Sequence, residues 1–219
     1  MHAIYNFVSG PLAWVAFLLF FGGILYQLIS RAMLAKKKDA YVYEYWNFYY
    51  AFRSILHWIF PFASTNSRKR PFLSIITFIF HVSIFVTPLF LFAHITLINE
   101  AFNVSWWFLP DGVADILTLV VIGACIFFLV RRLVQPDVKF LSSTSDYVLL
   151  ALVAAPFVTG YWAYHQWPGN QIVTILHMLS AEVLLAIIPF TKLNHMFLFF
   201  FTRGYMGSEF GGVRFARDW

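Results

Sequence analysis

Five long runs of apolar residues, separated by polar or basic stretches, dominate the pattern along the chain. They cover residues 12–29, 72–98, 113–130, 147–164 and 172–201. A membrane-spanning helix needs about 20 mostly apolar residues. The pattern therefore predicts an all-α integral membrane bundle of five transmembrane helices in a single domain, residues 1–219. The fifth run exceeds the hydrocarbon thickness, so we expect its helix to project beyond the bilayer or to tilt strongly.

Composition excludes the soluble classes of protein. Hydrophobic residues make up 61% of the chain and charged residues only 11%, whereas soluble domains contain about a quarter charged residues. The single cysteine, Cys125, excludes a disulfide scaffold. The chain is therefore expected to be embedded in a membrane.

The basic residues predict the orientation of the bundle. All 15 Lys and Arg residues lie in three segments: Arg31, Lys36, Lys37, Lys38, Arg53, Arg68, Lys69 and Arg70 after the first run; Arg131, Arg132 and Lys139 after the third; and Lys192, Arg203, Arg214 and Arg217 at or beyond the inner end of the fifth. The positive-inside rule places the N-terminus outside and the C-terminus in the cytoplasm. Orientation thus explains the net charge of +5, and no nucleic-acid partner is expected.

Two further segments are predicted on the cytoplasmic side. Residues 41–62 are rich in Tyr, Trp and Phe, which is typical of a helix lying in the membrane interface. The tail, residues 202–219, contains several glycines. We expect these glycines to interrupt any amphipathic helix and to make the tail a docking strap for a partner protein. The alternative is that its basic residues bind anionic lipid.

Four histidines lie within the second and fifth runs: His81, His94, His177 and His195. Ionisable groups at membrane depth are costly, so each is a functional candidate. His94 and His177 lie at matching depths, about 6 and 8 Å from the outer ends of their helices. Two facing imidazoles at equal depth are what a bis-histidine haem requires. His81 and His195 match in depth only roughly.

Helical register supports the two pairs unequally. His177 and His195 are 18 residues apart, which places them on the same face of one continuous helix. His81 and His94 would lie about 140° out of register on an ideal helix, although Pro88 between them can kink it. Spacing alone therefore leaves open two haems or a single outer haem.

The same residues carry a family resemblance. Phe80-His81, Pro88-x-Phe90 and His94 in the second run, with His177 and His195 in the fifth, resemble the gamma (cytochrome b) subunit of respiratory nitrate reductase. The closer resemblance is to membrane cytochrome b subunits of transmembrane redox complexes in sulfate-reducing bacteria. It rests on residues 189–196 (PFTKLNHM) and 207–211 (GSEFG).

The resemblance implies a subunit of a quinone-linked oxidoreductase in a bacterial or archaeal cytoplasmic membrane. In such a subunit two b haems carry electrons between a quinone or menaquinone pool and partner subunits. The partners would be a cytoplasmic iron–sulfur protein and a periplasmic multihaem cytochrome c. Carried over, His94 and His177 would hold the outer haem iron, and His81 and His195 the inner one. The alternative is a haem-free membrane anchor for redox subunits.

Four residues are candidates for a quinone site: His165, Glu182, Asp115 and Trp107. His165, Asp115 and Trp107 lie near the predicted level of the outer haem, where a quinone headgroup would need polar partners. Glu182 is the only acid in the fifth run. A buried carboxylate there is either neutral or bonded to a partner, so it has a proton-coupled role or a structural one.

Overall fold

The computed structural model describes residues 2–219, and within them the only regular secondary structure is helical. Helix accounts for 84% of these residues. The α-helices are α1 (His2–Phe7), α2 (Ala13–Lys38), α3 (Tyr41–Glu44), α4 (Phe48–Ile59), α5 (Thr65–Lys69), α6 (Pro71–Phe90), α7 (Phe92–Phe102), α8 (Asp111–Val134), α9 (Pro136–Leu141), α10 (Thr144–Tyr164), α11 (Asn170–Ile187) and α12 (His195–Ser208).

Five helical stretches in the described residues are long and apolar enough to cross a membrane. They are His2–Lys38, Pro71–Phe90, Asp111–Val134, Thr144–Tyr164 and Asn170–Phe190. Many large apolar side chains on them are exposed, as expected where the surrounding medium is lipid. The prediction of an all-α bundle with five spanning helices is confirmed, and the chain is a multi-pass membrane protein.

The first spanning stretch begins earlier and ends later than the predicted 12–29. It starts at His2, passes through a π-helical turn at Val8–Leu12 that contains Pro11, and continues to Lys38. Proline lacks the N–H that an α-helical turn needs, and a wider turn accommodates it. Three lysines in the last turn lie beside the negative end of the helix dipole.

The second apolar run is not one helix from 72 to 98. Helix α6 ends at Phe90, Leu91 is extended, and α7 begins at Phe92. Pro88 in the last turn of α6 cannot donate a hydrogen bond, which weakens the helix before the break. Because His81 and His94 therefore lie on separate helices, the register calculated for one ideal helix does not apply to them.

The break releases the carbonyl groups of residues 88–90, and each acquires a new donor. His94 Nδ1 lies 2.9 Å from the oxygen of residue 88, and the Trp106 indole donates to that of residue 89 at 2.8 Å. The backbone N–H of Leu109 donates to that of residue 90 at 2.9 Å. The loop after α7 thus satisfies a helix end that would otherwise be costly at membrane depth.

The fifth run, predicted as one helix over 172–201, is also interrupted. Helix α11 is followed by two 3-10 turns, Ile188–Phe190 and Lys192–Asn194, with the extended residue Thr191 between them. Pro189 in the first turn cannot continue an α-helical hydrogen-bond ladder. The expectation that one continuous helix puts His177 and His195 on the same face was therefore wrong.

The chain divides into two compact units, a first one of residues 2–75 and 182–219 and a second one of residues 76–181. In the second unit α8 packs on α10. The buried face of α8 carries small residues at helical spacing, among them Ala114, Thr118, Val121 and Cys125. Small side chains let membrane helices approach closely, which supplies the packing that the hydrophobic effect does not supply in lipid.

In the first unit α12 packs on α4, the middle of the segment predicted to be interfacial. Three glycines of α12 and of the π-helical turn Glu209–Val213 face α4 or Trp46, which lies just before it, and a Cβ at any of them would overlap its neighbour. The facing pairs are Gly204 with Trp46, Gly207 with Ser54 and Gly211 with Tyr50. The helix runs unbroken through the first two of these glycines, so the expectation that they interrupt it was wrong. They form a close packing surface.

Candidate functional site

The imidazole rings of His94 and His177 face each other within the second unit. His94 lies in the first turn of α7, directly after the break, and His177 lies in α11. Their ring centroids are 6.0 Å apart, and the ring planes differ by 12°. The structure therefore brings the predicted outer pair together, and both side chains are only partly exposed.

Both histidines are oriented by a backbone carbonyl. His94 Nδ1 lies 2.9 Å from the carbonyl oxygen of Pro88, and His177 Nδ1 lies 2.9 Å from that of Pro156 in α10. A carbonyl can only accept, so each Nδ1 carries the proton and each Nε2 presents its lone pair. This is the arrangement in which a neutral histidine binds a metal ion.

The separation of the rings fits one metal ion between two imidazoles. Two imidazoles that share one metal ion through metal–nitrogen bonds of about 2.0 Å have ring centroids at most roughly 6 Å apart. The observed distance is 6.0 Å. His94 and His177 are therefore the two residues that would hold a haem iron, each through its Nε2.

Gly160 of α10 provides space beside the His177 ring. A Cβ at this position would lie 2.8 Å from Cε1 of His177 and 3.0 Å from Nδ1. Pro156, one turn earlier on the same helix, supplies the carbonyl that holds that Nδ1. Helix α10 therefore both orients and confines the histidine. The sequence interpretation missed Gly160, although a glycine inside an apolar run is a signal of close approach.

The predicted inner histidines have the same kind of carbonyl contact. His81 in α6 has Nδ1 2.7 Å from the carbonyl oxygen of Thr77. His195, the first residue of α12, has Nδ1 2.9 Å from the carbonyl oxygen of Lys192. The two belong to different units, so their pairing stays a prediction.

Two of the candidate quinone residues meet in the second unit. Nε2 of His165 lies 3.2 Å from Oδ2 of Asp115, and both side chains are about one-third exposed. The Tyr161 ring lies 4.4 Å from the His165 ring, and the Tyr164 hydroxyl lies near the Asp111 carboxylate. These groups form an acid–base cluster at the ends of α8 and α10, about one turn of α10 beyond Gly160.

The other two candidates lie elsewhere. The Trp107 ring stacks on Phe90 with centroids 4.4 Å apart, and the side chain is 63% exposed. Glu182 belongs to the first unit, is buried, and has an Oε2 atom with no hydrogen-bond partner in the described part of the chain. Asn194, which the sequence interpretation did not single out as a site, is also buried, and both of its amide atoms lack such a partner.

A group of three or more His, Cys, Asp or Glu side chains suited to one metal ion does not occur among residues 2–219. The chemistry that the described side chains offer is therefore of two kinds. The His94–His177 pair offers two imidazole nitrogens that would hold a metal ion between them, and the His165–Asp115 cluster can exchange protons near the ends of the helices.

Comparison with known proteins gives one informative match. A protein of Nitratidesulfovibrio vulgaris, strain Hildenborough, is 35% identical to this chain over 211 residues, covering 94% of this chain and 93% of the relative. The chain belongs to the same family as that protein. The match extends over nearly the whole length of both chains. No family model matches the chain, and no solved structure matches it.

Proposed function

We propose that this protein is a di-haem b membrane subunit that carries electrons between a quinone pool and partner redox proteins. The observation that supports the proposal most directly is the His94–His177 pair, with centroids 6.0 Å apart and both Nδ1 atoms held by backbone carbonyls. In the proposed arrangement these two residues hold the outer haem, and His81 and His195 hold the inner one. The resemblance to cytochrome b subunits of the nitrate reductase gamma type agrees with this assignment.

The helices of this chain have a defined task in the proposed function. Bound haem supplies a one-electron carrier whose potential depends on its ligands and surroundings. The chain fixes the tautomer of each histidine through the carbonyls of Pro88 and Pro156, and Gly160 leaves the space in which the His177 ring sits. In a membrane, the apolar residues of the spanning helices would keep water from the pair and so limit the reorganisation that accompanies a change of charge.

The His165–Asp115 cluster is the proposed quinone site. A quinone that exchanges two electrons also exchanges two protons, so its headgroup needs acid–base groups beside it. His165 and Asp115 are 3.2 Å apart, lie at the ends of two spanning helices, and are partly exposed. Menaquinone is the proposed substrate form. Trp107 and Glu182 remain candidate contributors to quinone binding or proton transfer.

The proposed setting is a bacterial or archaeal cytoplasmic membrane, with the N-terminus outside. The proposed partners are a cytoplasmic iron–sulfur subunit and a periplasmic multihaem cytochrome c. Copurification of the chain from its own membranes, followed by identification of the retained subunits, tests this part of the proposal. Retention of neither kind of redox protein under mild detergent would contradict it.

The haem assignment is tested by spectroscopy of the purified protein. We expect about two b haems per chain by pyridine haemochrome assay and sharp alpha bands on reduction, as bis-histidine ligation gives. His177→Ala should remove the outer haem and leave the inner one. His2→Ala, at the exposed N-terminal end of α1, is the control and should change neither. Unchanged haem content in His177→Ala would refute the outer site, and absence of haem from the native protein would favour the anchor function.

The quinone site is tested with an inhibitor of the hydroxyquinoline N-oxide type. We expect the inhibitor to shift the midpoint potential or spectrum of the outer haem and to leave the inner haem unchanged. Asp115→Asn should weaken this shift while haem content stays normal, because Asp115 contacts His165 and not the histidine pair. A shift confined to the inner haem would place the site on the opposite side of the membrane and contradict the assignment.

A further inference from the structure

A small groove lies between α4 and the C-terminal tail in the first unit. It has a volume of about 200 Å³ and is lined by Tyr50, Arg53, Gly211, Phe215, Ala216 and Arg217. Drug-sized ligands occupy pockets of about 300–1,000 Å³, so the groove suits a smaller group. Two of its six lining residues are arginines, which points to an anionic ligand.

Arg53 is held by aromatic rings and not by a carboxylate. Its guanidinium carbon lies 4.8 Å from the ring centroid of Tyr50 and 4.8 Å from that of Trp219. Its Nε is buried and donates no hydrogen bond within residues 2–219. Stacking on aromatic faces positions a guanidinium without neutralising it, so its donors stay suited to an external anion.

Arg217 supplies the second positive charge. Its guanidinium carbon lies 6.0 Å from the Trp219 ring centroid, and the side chain is exposed. Neither Arg217 nor Arg53 forms an ion pair within the described residues. The Trp219 ring thus contacts the guanidinium groups of both Arg53 and Arg217.

The carboxylate of Asp218, which lies between Arg217 and Trp219 in the sequence, contacts residues outside the groove. It accepts a hydrogen bond from Ser54 of α4 and lies 3.8 Å from Arg203 of α12, with a side chain only 2% exposed. Its second oxygen, Oδ1, is buried without a partner. Asp218 therefore fixes the tail against α4 and does not close the groove to an anion.

The surroundings favour a lipid as the source of the anion. Phe215, at the groove, is 88% exposed and has a left-handed backbone (φ 52°), a conformation that is rare for a bulky residue. Phe48 and Tyr49 on α4 are exposed as well. Exposed aromatic rings beside arginines are typical of the boundary between headgroups and acyl chains.

We infer that this groove binds the phosphate group of one anionic phospholipid, with Arg53 and Arg217 as its ligands. The bound lipid joins α4 to the tail, since Arg53 comes from the helix and Arg217 from the tail. The inference requires only that the chain lies in a membrane and is independent of haem binding.

The test is native mass spectrometry of the full chain in detergent, titrated with phosphatidylglycerol or with phosphatidylcholine of the same acyl chains. We expect a single phosphatidylglycerol adduct that binds roughly tenfold more tightly than phosphatidylcholine, because the choline cation of phosphatidylcholine offsets the charge of its phosphate and is repelled by the two arginines. Arg217→Gln should abolish most of this preference for phosphatidylglycerol, and Arg53→Gln should do the same. The matched control is Arg70→Gln, an exposed arginine outside the groove, which should leave the preference unchanged.

Two results would overturn the inference. If Arg70→Gln and Arg217→Gln weaken phosphatidylglycerol binding equally, then diffuse surface charge attracts the lipid and the groove does not. Displacement of phosphatidylglycerol by millimolar inorganic phosphate would assign the groove to the free anion. Because Arg217 is exposed, its substitution leaves the packing of α4 on α12 intact, and circular dichroism of the variant verifies this directly.

Discussion

Gly160 is the position at which a single methyl group should test the proposed haem site most sharply. A Cβ there would lie 2.8 Å from Cε1 of His177, whereas carbon atoms in contact are normally about 3.5–4.0 Å apart. The backbone of α10 fixes the position of the methyl group in a Gly160→Ala variant, so the group points at the His177 ring. The imidazole ring must therefore move away from α10.

The required displacement is large enough to break the hydrogen bond that orients the ring. Relief of the overlap needs a movement of about 0.7 Å. Pro156 lies on the same helix, so the same movement lengthens the contact from Nδ1 to its carbonyl oxygen, now 2.9 Å, by up to about 0.7 Å, which reaches the limit of hydrogen-bond range. Loss of such an orienting partner typically lowers metal affinity by about 10–100-fold.

The expected result is a protein that folds but loses most of its outer haem. Pyridine haemochrome content should fall by about one haem per chain, with the inner alpha band preserved. Gly123→Ala is the matched control: Gly123 also lies in a spanning helix of the second unit, and a Cβ there meets nothing within 4 Å. Both variants gain helix propensity. If Gly160→Ala retains native haem content and an unshifted outer band, the His94–His177 assignment is wrong.

Two further predictions concern the first unit and the inner haem. Gly211→Ala, which places a methyl group in the Tyr50 ring, should lower the free energy of unfolding by about 1–3 kcal/mol; Gly212→Ala, with Tyr50 no closer than 3.7 Å, should change it by less than about 0.5 kcal/mol. Thermal denaturation in detergent measures both, and equal stabilities would refute the close packing of the tail. His81→Ala and His195→Ala should each remove the inner alpha band and spare the outer one in reduced-minus-oxidised spectra; loss of both bands in either variant would contradict two independent sites.

The five spanning helices were predictable because a bilayer imposes a one-dimensional rule on the chain. Hydrocarbon thickness fixes the length of each apolar run, and unsatisfied backbone groups are too costly in lipid for any structure other than a helix. Runs such as 113–130 therefore identify their own helices, here Asp111–Val134. No long-range contact needs to be known for this inference.

The ends and interruptions of the helices depended on contacts that the pattern does not contain. Pro88 indicated a weakness in the second run. The helix breaks completely there because the loop after α7 donates hydrogen bonds to carbonyl groups that the break leaves unpaired. Similarly, Pro189 is accommodated where Gly23 of α2 leaves room, since a Cβ at Gly23 would lie 2.7 Å from the proline Cβ. Whether a proline bends or ends a helix is decided by its neighbours.

The sequence by itself determined the class of protein, the five spanning segments and the four histidines worth considering, because all of these follow from hydropathy and from the cost of polar groups in lipid. Only the tertiary structure decided that His94 and His177 face each other, that Gly160 borders one of them, and that the tail glycines pack on α4 instead of ending a helix. The physical reason is that hydropathy is a property of each residue. The facing of two rings and the clearance at a glycine are distances between helices, and local sequence does not fix them.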